Sequence, residues 1–367
     1  MTKITTRLLS LVLLGAFIPS FVLADNWYLE KGSISVEATE SGQTVSQVGG
    51  ERKNDDAPVI STHAPDSTKT GAVENTITIT AAENATANVT LENVNIDVSS
   101  NQEAAITTQG QGNVTLNLSG DNSVKSGDHH AGVHKDNDGN LTITTPEGGT
   151  GSLNAEGGQG GAGIGGGSVG ANGNNITVSG GTVVAQGGEY SAGIGGGGNR
   201  SNNNASNITI SGGDVTANGA GSAAGIGGGN GGSGTDIEIT GGKVKANGGT
   251  EAAGIGGGKN GNGSGITVSG GQVIATGKSN GDGGGAGIGG GSGGSGSDIT
   301  VSIGNVTANG GENAAGIGGG KGGSGSTITV SGGTVEAQGG ENGAGIGGGN
   351  GGNGSGITVS GGEIKEA

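Results

Sequence analysis

The sequence predicts an all-β chain wound as a parallel β-helix solenoid, and three observations carry that prediction. The hexapeptide AGIGGG begins at Ala162, Ala192, Ala224, Ala253, Ala286, Ala315 and Ala344, recurring every 29 to 33 residues. Between its copies lie two further apolar pieces, such as ITVSGG (Ile176 to Gly181) and TVVAQGG (Thr182 to Gly188), in which aliphatic residues alternate with polar ones. Aromatic residues make up only 1% of the 367 positions. A repeat period between about 20 and 50 residues marks a solenoid, propeller or array, because one unit cannot bury its apolar face without stacked neighbours. Period-two alternation marks strands, and a coil of three short strands encloses a core too narrow for aromatic rings.

From the N-terminus, Lys3 and Arg7 precede an apolar run from Leu8 to Leu23, and Val22 and Ala24 occupy the small-residue positions of a cleavage site before Asp25. This is the layout of a secretory signal peptide over residues 1–24. It predicts a secreted product, extracellular or at the cell surface, with no membrane-inserted segment. Residues 25–71 have a different texture, with Trp27 and Tyr28 early and the run Glu51-Arg52-Lys53-Asn54-Asp55-Asp56 later. They read as an N-terminal cap or arm, because a solenoid needs atypical terminal units to cover its core. Trp27 then caps the stack rather than a ligand.

Residues 72–140 read as degenerate coils, with strand signals at Thr76 to Thr80, Val94 to Val98 and Val114 to Leu118. Ala131-Gly132-Val133 stands where the later Ala-Gly-Ile stands. Residues 141–367 carry the regular repeat. Its first strand turns Ile176/Val178, Ile208/Ile210 and Ile237/Ile239 inward, and its second Val183/Ala185, Val215/Ala217 and Val244/Ala246. In the third, Ala192 and Ile194 face inward and Gly193 and Gly195 outward, which leaves that outer face almost bare. Nine to ten coils at about 4.8 Å make a rod of roughly 45 Å. In the last repeat Ile364 keeps the inward phase and Glu366 breaks it, consistent with a charged cap on a freely secreted product or with a piece of a longer protein.

Composition alone points elsewhere, since 95 Gly is a level associated with low-complexity sequence. A disordered Gly-rich linker has no reason to hold Ile and Val at fixed offsets in every unit. The absence of cysteine excludes disulfides, thiolate metal sites and a lipidated cysteine after the signal. A net charge of -16, more negative once Lys3 and Arg7 are removed, argues against nucleic acid or an anionic membrane as partner.

The string from Leu141-Thr142-Ile143 through Ser152-Leu153-Asn154-Ala155 to Ala162-Gly163-Ile164, with the ITVSGG, x-V-x-A-x-G-G and AGIGGG units after it, resembles bacterial secreted carbohydrate-binding proteins. The likeness extends from about Thr76 to the end. It implies a right-handed parallel β-helix of pectate-lyase-like architecture without lyase activity, calcium bound by the helix, and plant or cell-wall polysaccharide as partner.

Several candidate sites can be weighed. Gly193, Gly195 and Gly198 match GxGxxG, but the fingerprint needs a following helix and none is visible. The segment Asp128 to Gly139 holds His129, His130 and His134, and a continuous strand would separate His130 from His134 by about 13 Å, too far for one metal. Its Asp136-x-Asp138-Gly139 lacks the carboxylates of a calcium loop at the outer positions. Gly231 to Asp236 and Gly293 to Asp298 resemble calcium-binding nonapeptides, yet they never run in tandem and read as corner turns. Acids recur at the corner before the hexapeptide as Glu189, Glu251, Asp282, Glu312 and Glu341; stacked one coil apart, they are the candidate calcium edge. The outward Thr177, Thr209, Thr267, Thr300, Thr329 and Thr358, with serines two residues on, form a candidate ligand face.

A lyase on this scaffold needs a base beside metal-bound carboxylates. Arg52 and Arg200 are the only arginines after the signal, and Arg200 has no acids nearby. The expectation is a non-enzyme that binds polysaccharide or cell surface. A structural stalk or adhesin repeat without a ligand site, and an ice-binding Thr-x-Ser ladder, are the alternatives.

Overall fold

The computed structural model describes residues 24–50, 52–168, 173–198 and 203–365. The signal segment, Arg200 and Glu366 therefore lie outside the described residues. The chain is an all-β parallel solenoid of about eleven coils, one or two more than the repeats suggest. The extra turns come from residues 26–61, whose strands β1 (Asn26–Tyr28), β2 (Ile34–Thr39) and β5 (Val59–Ser61) join the parallel ladders of the helix itself.

Each regular coil contributes to three sheets. The first, here the Thr sheet, stacks strands such as Ile176–Val178, Ala205–Ile210 and Gly234–Ile239. The second, the Val-Ala sheet, stacks Thr182–Gln186, Asp214–Asn218 and Lys243–Asn247. The third, the Ile-Gly sheet, stacks two-residue strands such as Ile194–Gly195 and Ile226–Gly227. From residue 86 onward the pairings between strands of successive coils are all parallel and join equivalent repeat positions. The aliphatic side chains form one continuous core in which Ile176, Val183, Ile194 and their counterparts are buried up to the last coil, where Ile346 and Ile364 are half-buried and Ile357 is exposed. The strand Asn113–Lys125 runs through a corner, at Gly120 with φ 60°, and ties the first two sheets together.

The N-terminal end is closed by local chemistry. Strand β3 (Gly42–Gln47) pairs antiparallel with β2 on one side and with β4 (Lys53–Asn54) on the other, and these strands end the third sheet. Buried Gln43 donates to the carbonyls of Asp55 and Asn88 and accepts from the Asn88 amide, binding the hairpin to the coil above it. Trp27 is 8% exposed, part of the core, and its indole N–H donates to Asp55 at 2.8 Å.

The outer face of the Ile-Gly strands is not bare. Gly193 and Gly195 are buried, because the loops on either side of the strand fold over it and bond to each other between coils. The Asn230 amide donates to the Tyr190 carbonyl at 3.0 Å, Lys259 to Ser222 at 2.9 Å, and Ser292 to Glu251 at 2.8 Å. Backbone fills the space a side chain would need. A Cβ on Gly193 would lie 2.5 Å from the Asn218 amide, and one on Gly195, where φ is 131°, 2.2 Å from the Gly227 carbonyl.

The third sheet also narrows along the axis. Its early strands Ile77–Ala81, Ile106–Gly110 and Val133–Asn137 have five residues, and from Ile164–Gly165 onward there are two. At this step the core turns polar. Thr108 donates to the Asn137 side chain at 2.8 Å, Asn137 to the Gly112 carbonyl, and the inward Lys135 ammonium to the Asn137 carbonyl at 2.6 Å.

Two local devices recur from coil to coil. The Thr-sheet strands carry a bulge, with one residue at φ between 51° and 63° left out of the pairing: Asn207, Asp236, Gly265, Asp298, Thr327 and Gly356. Asn, Asp and Gly tolerate this left-handed conformation, and the β-branched Thr327 adopts it only at a cost. In the preceding corner the side chains of Asn204, Ser233, Asn262, Ser295 and Ser324 each accept the backbone N–H of the next coil at 2.8 to 3.1 Å.

Two stability outcomes follow from these positions. Replacing Thr327 by Asn relieves a β-branched residue in left-handed backbone and raises stability by about 1 kcal/mol, read as a higher urea midpoint at unchanged slope. Gly195→Ala places a methyl against the Gly227 carbonyl and costs about 3 kcal/mol or more, read as a loss of midpoint in the same titration.

Candidate functional site

The Thr sheet presents the most regular surface. A strand with an inward Ile and Val must send the residue between them outward, and parallel in-register pairing sets that residue above its counterpart in every coil. Thr177 pairs with Thr209, Thr209 with Glu238, Glu238 with Thr267, and Thr267, Thr300, Thr329 and Thr358 follow in sequence. The six threonines expected at this face are thus brought into a single rank. The structure extends it toward the N-terminus through Thr142 and Thr115 to Asn88. Leu141-Thr142-Ile143 stands in the place of Ile-Thr-Val and so points to Thr142 from the sequence, whereas Thr115 and Asn88 lie in strands without the ITVSGG signature.

A second rank lies beside it. The amides of Ser211, Thr240, Ser269, Ser302, Ser331 and Ser360 each donate to the coil below at 2.9 Å, which extends the ladder past the strand ends. At a rise of about 4.8 Å per coil and about 6.7 Å between alternate residues, the ranks make a lattice of hydroxyls. Such a surface offers hydrogen bonds at fixed intervals to a partner with its own repeat.

The five corner acids are placed one per coil, but their side chains do not converge. Glu251, 12% exposed, is paired with Lys259 at 2.6 Å. Glu189 accepts from the Gln159 amide at 2.9 Å. The Asp282 carbonyl accepts from the Lys321 ammonium and from Asn313. Glu312 and Glu341 lie in adjacent coils, linked by the Asn313 amide donating to the Glu341 carbonyl at 2.9 Å. Among the described residues no three His, Asp or Glu side chains come together in a metal-holding group. Calcium needs six to eight oxygen ligands, so this edge does not fit the ion, and no calcium step is derived from it.

The histidine segment departs from its expected geometry. Residues 128–130 form a turn, with His129 at φ 74°, and the strand begins only at Val133. The His130 and His134 rings therefore meet edge to face at 5.0 Å between centroids instead of standing a full strand apart. The Ala131 amide donates to His134 Nδ1, and the Ser168 hydroxyl lies 2.8 Å from His129 Nδ1. Buried His130 Nδ1 has no partner. Burial, with His130 beside it, holds the His134 imidazole down at about 4. Burial likewise pushes the Lys135 amine down to about 8. At the N-terminus the Ser67 hydroxyl and the Ala64 amide hold the Glu30 carboxyl at about 2.

The His134 shift makes stability depend on pH. The folded value of about 4 is below the unfolded 6.5, so its contribution is complete above pH 6.5 and is lost as pH falls toward 4. The loss reaches about 3 kcal/mol. Denaturation midpoints measured between pH 7.5 and 4 decline over that window in the wild type, and His134→Gln flattens the decline.

A family model described as a beta helix repeat matches residues 176–198, 208–230, 237–259, 266–292, 299–321 and 328–350. Each match opens on the Thr-sheet strand and closes just past the Ile-Gly strand, so it follows one coil of the structure. No curated protein and no solved structure matches the chain. The repeat matches and the stacked parallel coils together make this chain a parallel β-helix repeat protein.

Proposed function

We propose that the protein is a secreted, non-catalytic solenoid that binds a cell-wall or cell-surface polysaccharide along the Thr sheet. The observation that carries the reading is the hydroxyl rank in continuous register from Thr115 to Thr358, interrupted only by Glu238. A polysaccharide repeats its own hydroxyls along an extended axis, and a rod with hydroxyls at fixed intervals meets it at many weak points. Affinity then arises from multivalency. The signal-like N-terminus supports export, and the negative charge supports a partner that is not itself a polyanion.

Ice binding, which the Thr-x-Ser ranks also invite, is the weaker reading. Glu238 puts a carboxylate in the middle of the rank, and serine lacks the methyl that threonine would use to order water. A stalk without ligand is what remains if no glycan binds.

Pull-down on insoluble cellulose, pectin and peptidoglycan tests the reading. The mature protein is expected to be retained on at least one of them, with or without chelator. The double variant Thr267→Lys/Thr300→Lys is expected to lose retention about tenfold or more, because it interrupts the face where most contacts add. A protein that remains in the supernatant with all three is a structural rod.

A further inference from the structure

We infer that Tyr28 and the polar groups around it form a terminal subsite for a neutral or amino-bearing hexopyranose, at the N-terminal end of the Thr face. The inference rests on the glycan-binding reading and gives it a chemical class. Strand β1 belongs to the Thr sheet and is paired in parallel with β5. Asn26 pairs with Val59, Val59 with Thr90, Thr90 with Asn117 and Asn117 with Thr144. The backbone ladder carries the same file on through Ser179. A polymer lying along the face reaches this end of the rod in register.

Here the surface deepens into a depression of about 350 Å³ lined by Asn26, Tyr28, Ser61, His63, Glu92 and Asn93 among others. That volume is at the lower end of small-molecule sites, which run about 300–1,000 Å³. Tyr28 is the one of the two tyrosines that lies on the Thr sheet, Tyr190 standing in the corner before a hexapeptide, and Trp27 beside Tyr28 is spent on the core. The Lys31 ammonium lies 5.0 Å from the Tyr28 ring centroid, and Lys31 lines a separate, smaller depression with Trp27 and Lys53. Tyr28 borders both depressions, and Lys31 does not line the larger one. An aromatic face with hydrogen-bonding groups at its rim suits a sugar ring, apolar on one face and polar at its edge.

The rim groups are available. Among the described residues, the Asn26 amide, the Tyr28 hydroxyl and the Glu92 carboxylate make no hydrogen bond or ion pair. His63 is committed, with Nε2 3.0 Å from the Gly71 carbonyl and Nδ1 3.4 Å from Glu30. A free carboxylate in a strongly acidic protein accepts hydrogen bonds from hydroxyl or ammonium groups and repels a uronate. This charge selects the class of sugar.

Titration calorimetry of the mature protein with cellohexaose, a glucosamine hexamer and hexagalacturonate separates the possible results. The expected result is binding of one or both of the first two and none of the third. Tyr28→Ala is expected to weaken binding about tenfold, the scale of one aromatic stacking contact. Glu92→Gln, a near-isosteric change on the surface, is expected to weaken it about threefold or more with an unchanged melting curve. Binding lost in Thr267→Lys/Thr300→Lys but equal to wild type in both Tyr28→Ala and Glu92→Gln overturns the subsite and leaves the face intact. Preference for hexagalacturonate also overturns it. No binding to any hexamer or insoluble glycan overturns the subsite together with the reading beneath it.

Discussion

Each coil of this solenoid must sit one strand spacing above the last, and that requirement governs the rest of the molecule. At about 4.8 Å of rise, equivalent atoms of successive coils touch, so a position suits its own coil only if it suits those above and below. The AGIGGG corner is the extreme case. There carbonyls approach to within 2.0 to 2.2 Å of where a Cβ would stand on Gly195, Gly227, Gly256 and Gly289. Glycine loses more entropy on folding than any other residue, and the ladders it admits here offset that loss. A quarter of the sequence is glycine because a corner this tight has no room for side chains, and the remaining aliphatics suffice for so slender a core.

The same stacking creates the candidate binding face without any residue chosen for it alone. Once Ile and Val of the Thr sheet are fixed inward, the residue between them is presented outward at a constant interval. Threonine there serves the strand as a good β former and serves a ligand as a hydroxyl donor and acceptor. The two uses share one residue, so regularity by itself does not separate them. The N-terminal end differs, because Tyr28, Asn26 and Glu92 are not repeated and stabilise no ladder through their side chains.

The strands, their inward residues and the outward Thr rank were legible because each obeys a period that survives in the sequence: two along the strand and about thirty between coils. What escaped were features made by contact between coils. Gly193 and Gly195 read as solvent-facing because strand alternation has no knowledge of the loops that close over them. His130 and His134 read as distant because a turn at His129 replaces the strand that the count assumed. Thr327 gives no sign in the sequence that its neighbours above and below occupy a left-handed bulge. The corner acids were located correctly in the repeat, but Lys259 and Lys321, which neutralise or bond to that edge, lie across the hexapeptide in another loop.

The longest of these repeats shows where the architecture accepts novelty. Between Ala253 and Ala286 the additional residues leave all three strands of the coil in register and gather at the corner before the hexapeptide, where Ser279 and Gly284 form a small antiparallel bridge. The cores above and below continue unbroken through Ile255, Ile288 and Ile317. Growth at Asp282 therefore adds length outward from the rod without altering its pitch. A lineage, or an engineer, can graft foreign loops there coil by coil, turning a uniform scaffold into an addressable one.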